Sequence, residues 1–198
     1  MIYWIAHVLL ALLSKIFFPI KVSRAENIPT DGGMIIASNH LSNLDPMILG
    51  LASGRKLSYV AKDSLFKNKA FSFILYQVGA FPIRRDSGDV GAIKEALRRL
   101  RNGGRLVIFP EGTRKSEGSE KKVQPGIAFL TVKSNCWVVP AFIKGSDKVL
   151  PPGAKFIRPG RIDVAFGKAV KYTSSDSYPQ IAVQIKQKID ELSFVSPR

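Results

Sequence analysis

At 198 residues the chain is the length of a single domain, and 45% apolar residues are enough to close a hydrophobic core. Thirty Lys+Arg against fifteen Asp+Glu leave a formal charge of +15, which calls for an anionic partner, either nucleic acid or a membrane surface. A single cysteine, Cys136, excludes an intrachain disulfide framework and fits a reducing compartment, and two histidines beside it make a poor donor set for zinc, so no metal is expected.

The first segment is greasy. Residues 1–13 are almost purely apolar, with Tyr3 and Trp4 near the start; Ser14 and Lys15 interrupt the run, and residues 16–20 resume it around Pro19. It lacks the basic start and small-residue cleavage site of a signal peptide. Lys15 and Pro19 also shorten it below the roughly 20 residues of a spanning helix. Residues 1–20 are therefore expected to form a membrane-associating helix that lies in or dips into one leaflet, with 21–198 as the remaining domain.

Residues 21–33, with Pro29 and Gly32-Gly33, read as a connecting loop. Residues 34–37 read as a buried strand. A short helix over 46–52 follows, with Asp45 as its N-cap and Pro46 at the first helical position. Strands are expected at 57–61 and 79–83, with an apolar helix over 70–78 between them. Val90, Ile93, Leu97 and Leu100 recur at three- and four-residue spacing and predict an amphipathic helix. Asp86 or Ser87 would start that helix, and Gly103-Gly104 would end it. Strands at 105–109, 137–143 and 161–166, a helix over 126–133 and a closing helix over 179–192 complete the pattern. Alternating strands and helices predict a single-domain layered α/β fold, with short apolar strands buried on both faces by helices.

Three stretches carry chemistry. In Asn39-His40-Leu41-Ser42-Asn43-Leu44-Asp45-Pro46, His40 and Asp45 are five apart. Within one helix they would point about 140° apart. With Asp45 opening the helix, His40 falls in the preceding turn, where the carboxylate can hold one ring nitrogen and leave the other as a general base. Phe109-Pro110-Glu111-Gly112-Thr113-Arg114 stands at a strand end, where α/β sheets place their sites; Gly112 permits a tight turn, and Arg114 is suited to a phosphate. Gly79-Ala80-Phe81-Pro82-Ile83-Arg84-Arg85 again puts arginines at a strand end.

Together these stretches resemble the glycerolipid acyltransferase family, in particular its bacterial 1-acyl-glycerol-3-phosphate acyltransferases. The N-H-x4-D block matches Asn39, His40 and Asp45. A G-x-x-F-I-x-R-like block matches Gly79, Phe81 or Ile83, and Arg84, with slack that leaves Arg84 and Arg85 as alternatives. The F-P-E-G-T-R-S block matches Phe109 to Arg114, with Lys115 in place of Ser. A V-P-V-like block matches Val138-Val139-Pro140, with Ala141 departing. The blocks span about residues 35–143.

The resemblance implies an acyltransferase fold with a mixed sheet. It implies His40 as general base and Asp45 as its orienting partner. It implies an acceptor phosphate held by Lys62, Arg84 or Arg85, and Arg114, in a site shaped by Glu111, Gly112 and Thr113. The expected reaction moves an acyl group from acyl-CoA or acyl-ACP to the sn-2 hydroxyl of lysophosphatidic acid, with no cofactor, on the cytoplasmic face of an anionic membrane. Glycerol 3-phosphate, another lysophospholipid or a lyso-ornithine lipid are the alternative acceptors. A basic membrane- or nucleic-acid-binding domain is the non-enzyme alternative, and the absence of a reading helix or zinc finger counts against nucleic acid. No G-x-S-x-G elbow and no Walker A loop are present, so an acyl-serine route and ATP activation are not expected.

Overall fold

The computed structural model describes residues 2–84, 89–112 and 123–194. Seven strands form one mixed sheet: β1 (Ile20–Ser23), β2 (Met34–Ser38), β3 (Ser58–Lys62), β4 (Ala80–Ile83), β5 (Arg105–Ile108), β6 (Trp137–Lys144) and β7 (Ile162–Phe166), in the order β1-β7-β6-β2-β5-β3-β4. The β6–β7 pair is antiparallel and every other pair is parallel. One edge of the sheet therefore gathers the C-terminal ends of β2 to β6 and the N-terminal ends of β1 and β7. The chemistry-bearing stretches that follow β2, β3, β4 and β5 all leave the sheet along this edge.

The sheet is buried on both faces, as its nearly continuous apolar strands require. Alternate residues of β2 point to opposite sides: Met34 and Ile36 join one core cluster, Ile35 and Ala37 the other. The first cluster is covered by α1 (Ile2–Phe17) and α2 (Asp45–Ser53), through Leu10, Ile48, Leu49 and Ala52. The second is covered by α4 (Val90–Arg101), α5 (Gly126–Ser134) and α7 (Tyr178–Glu191), through Ala96, Leu100, Ile127, Ile181 and Ile185. The helix α3 (Lys69–Gln77) lies against α1 and buries none of its residues fully. The four-residue α6 (Ser146–Val149) closes the turn after β6.

Three expectations are corrected. Residues 20–23, split between the greasy leader and the loop, form a strand: β1 pairs with β7, Ile20 opposite Ile162 through Ser23 opposite Ala165, a partner 142 residues away that local sequence does not announce. The helix α4 is capped by Asp89, whose carboxylate accepts a hydrogen bond from the Ala92 N–H, and not by Asp86 or Ser87; the cap directly precedes Val90, the first residue of the apolar period. Asp45 does not cap α2. It is the first residue of that helix after Leu44, and its carboxylate is turned back onto the preceding turn.

Candidate active site

The turn between β2 and α2 is built around that carboxylate. Asp45 is fully buried, and its Oδ2 accepts hydrogen bonds from the backbone N–H groups of Leu41 (2.6 Å) and Ser42 (2.7 Å) and lies 2.8 Å from His40 Nδ1. An oxygen receiving two N–H bonds presents lone pairs to the ring, so Nδ1 carries the hydrogen and Nε2 is the bare nitrogen. The imidazole is stacked on Phe109, at 4.0 Å between centroids and 15° between planes, and only 13% of its side chain is exposed. A ring fixed by a carboxylate on one nitrogen and an aromatic face beneath leaves Nε2 as the nitrogen available to accept a proton.

Two side chains lock this turn to β6 and to the residue that ends α6. Asn39 donates through Nδ2 to the Ile143 carbonyl and accepts from the Ile143 N–H, both at 2.8 Å. Ser42 Oγ donates to the Leu150 carbonyl at 2.8 Å. Sequence reasoning quoted Asn39 as part of a pattern without a role, and it missed both Phe109 as a platform and Ser42 as a tie. The available signal for Asn39 was its place: a polar side chain directly after a buried strand must find partners.

Lys62 ends β3 and lies opposite Ile83 of β4, so Arg84 emerges beside it. Both are exposed, Arg84 with 71% of its side chain. Given about 4.8 Å between strands, β3 and β4 stand about 10 and 14 Å from β2 along the sheet, with β5 between. Arg84 also donates its backbone N–H to Asp89, which ties this strand end to the α4 cap. Glu111 is buried, with Oε1 3.6 Å from Lys186 Nζ on α7. Gly112 occupies φ +70°, donates its N–H to the Phe109 carbonyl at 2.9 Å and so closes the turn after β5, a conformation that favours glycine. Arg85, Thr113 and Arg114 lie outside the described residues. Cys136 is buried just before β6, at the sheet edge away from His40, and burial pushes its thiol pKa up, which removes it as a nucleophile.

The acyltransferase family model matches residues 19–144, which contain the His40 turn and all five strands that end beside it. The chain belongs to the acyltransferase family. Among its relatives is the 1-acyl-sn-glycerol-3-phosphate acyltransferase of Bacillus subtilis, 28% identical, with 87% of each chain covered. The enzyme of the same name from Streptococcus pneumoniae is 28% identical over 81% of this chain and 62% of its own length. The crystal structure of the 1-acyl-sn-glycerophosphate acyltransferase of Thermotoga maritima superposes with a TM-score of 0.73 at 26% identity, covering 89% of this chain and 73% of that one. This acyltransferase thus has the α/β architecture of a solved relative, and its His40–Asp45 pair stands in the segment that the family model matches.

Proposed function

We propose that this acyltransferase transfers a fatty acyl group from a thioester, acyl-CoA or acyl-ACP, to the sn-2 hydroxyl of lysophosphatidic acid, giving phosphatidic acid. The observation that carries the reading is His40, held at Nδ1 by buried Asp45 with Nε2 left for substrate. His40 Nε2 takes the hydroxyl proton as the oxygen attacks the thioester carbonyl. The C–O bond forms, the C–S bond breaks, and the proton passes from His40 to the departing sulfur. Lys62 and Arg84, on the β3–β4 flank, or Arg85 in place of Arg84, together with Arg114, hold the acceptor phosphate, whose distance from the hydroxyl is only a few bonds. Glu111, Gly112 and Thr113 shape the turn beside it. Two substrates held together supply the proximity that a direct transfer needs.

The N-terminal helix supports action at a membrane surface. Trp4, Ile5, Val8, Leu9, Leu12, Leu13 and Ile16 form one exposed apolar stripe on α1, and Phe71, Phe73, Ile74 and Tyr76 continue it on α3. Lys15, Lys56, Lys67 and Lys69 are exposed on or near these elements and suit anionic headgroups. The stripe and these lysines support a peripheral or monotopic reading, at the cytoplasmic face; no helix among the described residues is long and apolar enough to cross a membrane. The relatives' shared name, with lysophosphatidic acid as their acceptor, supports the choice of acceptor.

The test is acyl transfer from palmitoyl-CoA and palmitoyl-ACP to lysophosphatidic acid in mixed micelles. Wild type should form phosphatidic acid, and His40→Ala should lose at least about a hundredfold in kcat while keeping its fold by circular dichroism. A folded His40→Ala enzyme with near-normal turnover would remove His40 as the base.

A further inference from the structure

The acceptor side of the sheet edge is supplied by β3, β4 and β5. The other side, where β6, β7 and β1 meet the same edge, holds a cavity of about 370 Å³, within the range of small-molecule sites. Its inner wall is Leu41, the residue after His40, together with Phe142. Its polar lining is Lys144, Lys148 and Arg161 with Asp147 and Asp163. Asp163 is taken up by Arg161 at 3.1 Å, whereas Lys144 and Lys148 make no ion pair among the described residues. Lys21 lies opposite Asp163 in the β1–β7 register, and Arg158 is brought close to α6 by its N–H bond to the Val149 carbonyl. The concavity is thus lined by three cations and two carboxylates, with Lys21 and Arg158 adding charge on the neighbouring elements.

We propose that this cavity seats the nucleotide end of coenzyme A, its phosphates on Lys144, Lys148 and Arg161 and its base against Phe142, so that the donor enters from the β6–β7 flank. The donor is named on the strength of the acyl-transfer function proposed above. The outer rim at β7 and β1 stands about 10 to 14 Å from β2 along the sheet. A pantetheine arm running inward from that rim past Leu41 delivers the thioester to His40. Acceptor and donor then flank the same Nε2 from opposite sides and need not share a charged subsite. The turn that carries His40 is also pinned to this cavity's wall by Asn39 at Ile143, so donor binding and base orientation share one frame.

The experiment compares two donors with the same acyl chain, palmitoyl-CoA and palmitoyl-pantetheine, the second lacking every phosphate. The ratio of their kcat/KM values isolates the nucleotide. In the Lys144→Ala/Lys148→Ala double variant this ratio should fall at least tenfold. Lys168→Ala, which removes an exposed charge beyond the far end of β7, should keep the wild-type ratio. A double variant, folded by circular dichroism, that keeps the ratio within twofold of wild type overturns the site, and so does a loss confined to palmitoyl-ACP. Calorimetric binding of free coenzyme A separates this site from the reaction itself. Should wild type transfer from neither of these donors nor from palmitoyl-ACP, the proposed function fails; the cavity still stands if coenzyme A binds and the double variant weakens it tenfold, and falls if coenzyme A does not bind.

Discussion

Asn39 does for β6 what another residue of backbone would have done. β2 ends at Ser38, opposite Ala141, and the next residue turns away; its side-chain amide then supplies the donor and acceptor that Ile143 would otherwise lack. Removing it leaves a buried N–H and a buried carbonyl unpaired, at about 1–3 kcal/mol for each. Asn39→Ala should therefore lower the unfolding free energy by about 2–6 kcal/mol in urea titrations, and lower kcat more than it raises either KM, because the His40 turn loosens while both substrate flanks remain. A loss below 1 kcal/mol with unchanged kcat would refute the clamp. At this scale the sequence was half legible. The five-residue spacing pointed to a histidine in the turn and a carboxylate behind it, and the carboxylate is there. Asp45 read as a helix cap because capping is the commonest use of such a residue before a proline. Its true partners, the N–H groups of Leu41 and Ser42, follow from how the turn folds back, and the Phe109 platform comes from a different strand.

Glu95 shows how one helix is fastened to the sheet. Its carboxylate accepts from Arg98 Nε and Nη2 and from Arg99 Nε, at 2.7–2.8 Å. Arg99 in turn donates to Ser58 Oγ and the Gly79 carbonyl and lies over the Phe81 ring at 4.6 Å. Chiefly through its hydrogen bonds to Arg98, the Glu95 carboxyl falls from its ordinary 4.5 to about 2. A depressed folded value stabilises above about pH 4.5, and the stabilisation disappears as pH falls from there to about 2. The group is 30% exposed, so solvent screening limits it to about 1 kcal/mol. Wild type should exceed Glu95→Gln by that amount at pH 7, with the gap closing as unfolding is measured at progressively lower pH through that window; a constant gap would mean the charge is irrelevant. Most elements were legible here, because the three-four spacing of α4 and the short apolar runs of the strands are local signals. The strand β1 was not. None of its four residues is fully buried, and they become a strand through β7, a partner only the closed sheet supplies.

At the scale of the molecule, strand order is the decisive fact, and no local pattern encodes it. Parallel pairing out to β4 on one side, with reversal at β7 on the other, puts His40, the Lys62 and Arg84 strand ends and a second cationic corner on one edge. The same assembly leaves the α1 stripe facing outward, with Ile5, Leu9, Leu12 and Ile16 each 53–73% exposed. Replacing Leu9 and Leu12 with Ser should cut co-flotation with phosphatidylglycerol vesicles at least tenfold while leaving the melting temperature near wild type, since neither side chain contributes to the core. Unchanged flotation would mean that another face meets the lipid.

The helix α1 is tied near both ends: Tyr3 Oη donates to the Arg55 carbonyl at 3.1 Å, and the Phe17 carbonyl accepts from the Gly160 N–H at 3.0 Å. A stripe so fastened fixes the height of His40 above whatever plane the stripe rests on. If that plane is the membrane surface proposed above, a lipid acceptor arrives by sliding within it, and the quantity that sets its encounter rate is its mole fraction among the surrounding lipids, a crowding in two dimensions to which the volume of the cell is indifferent.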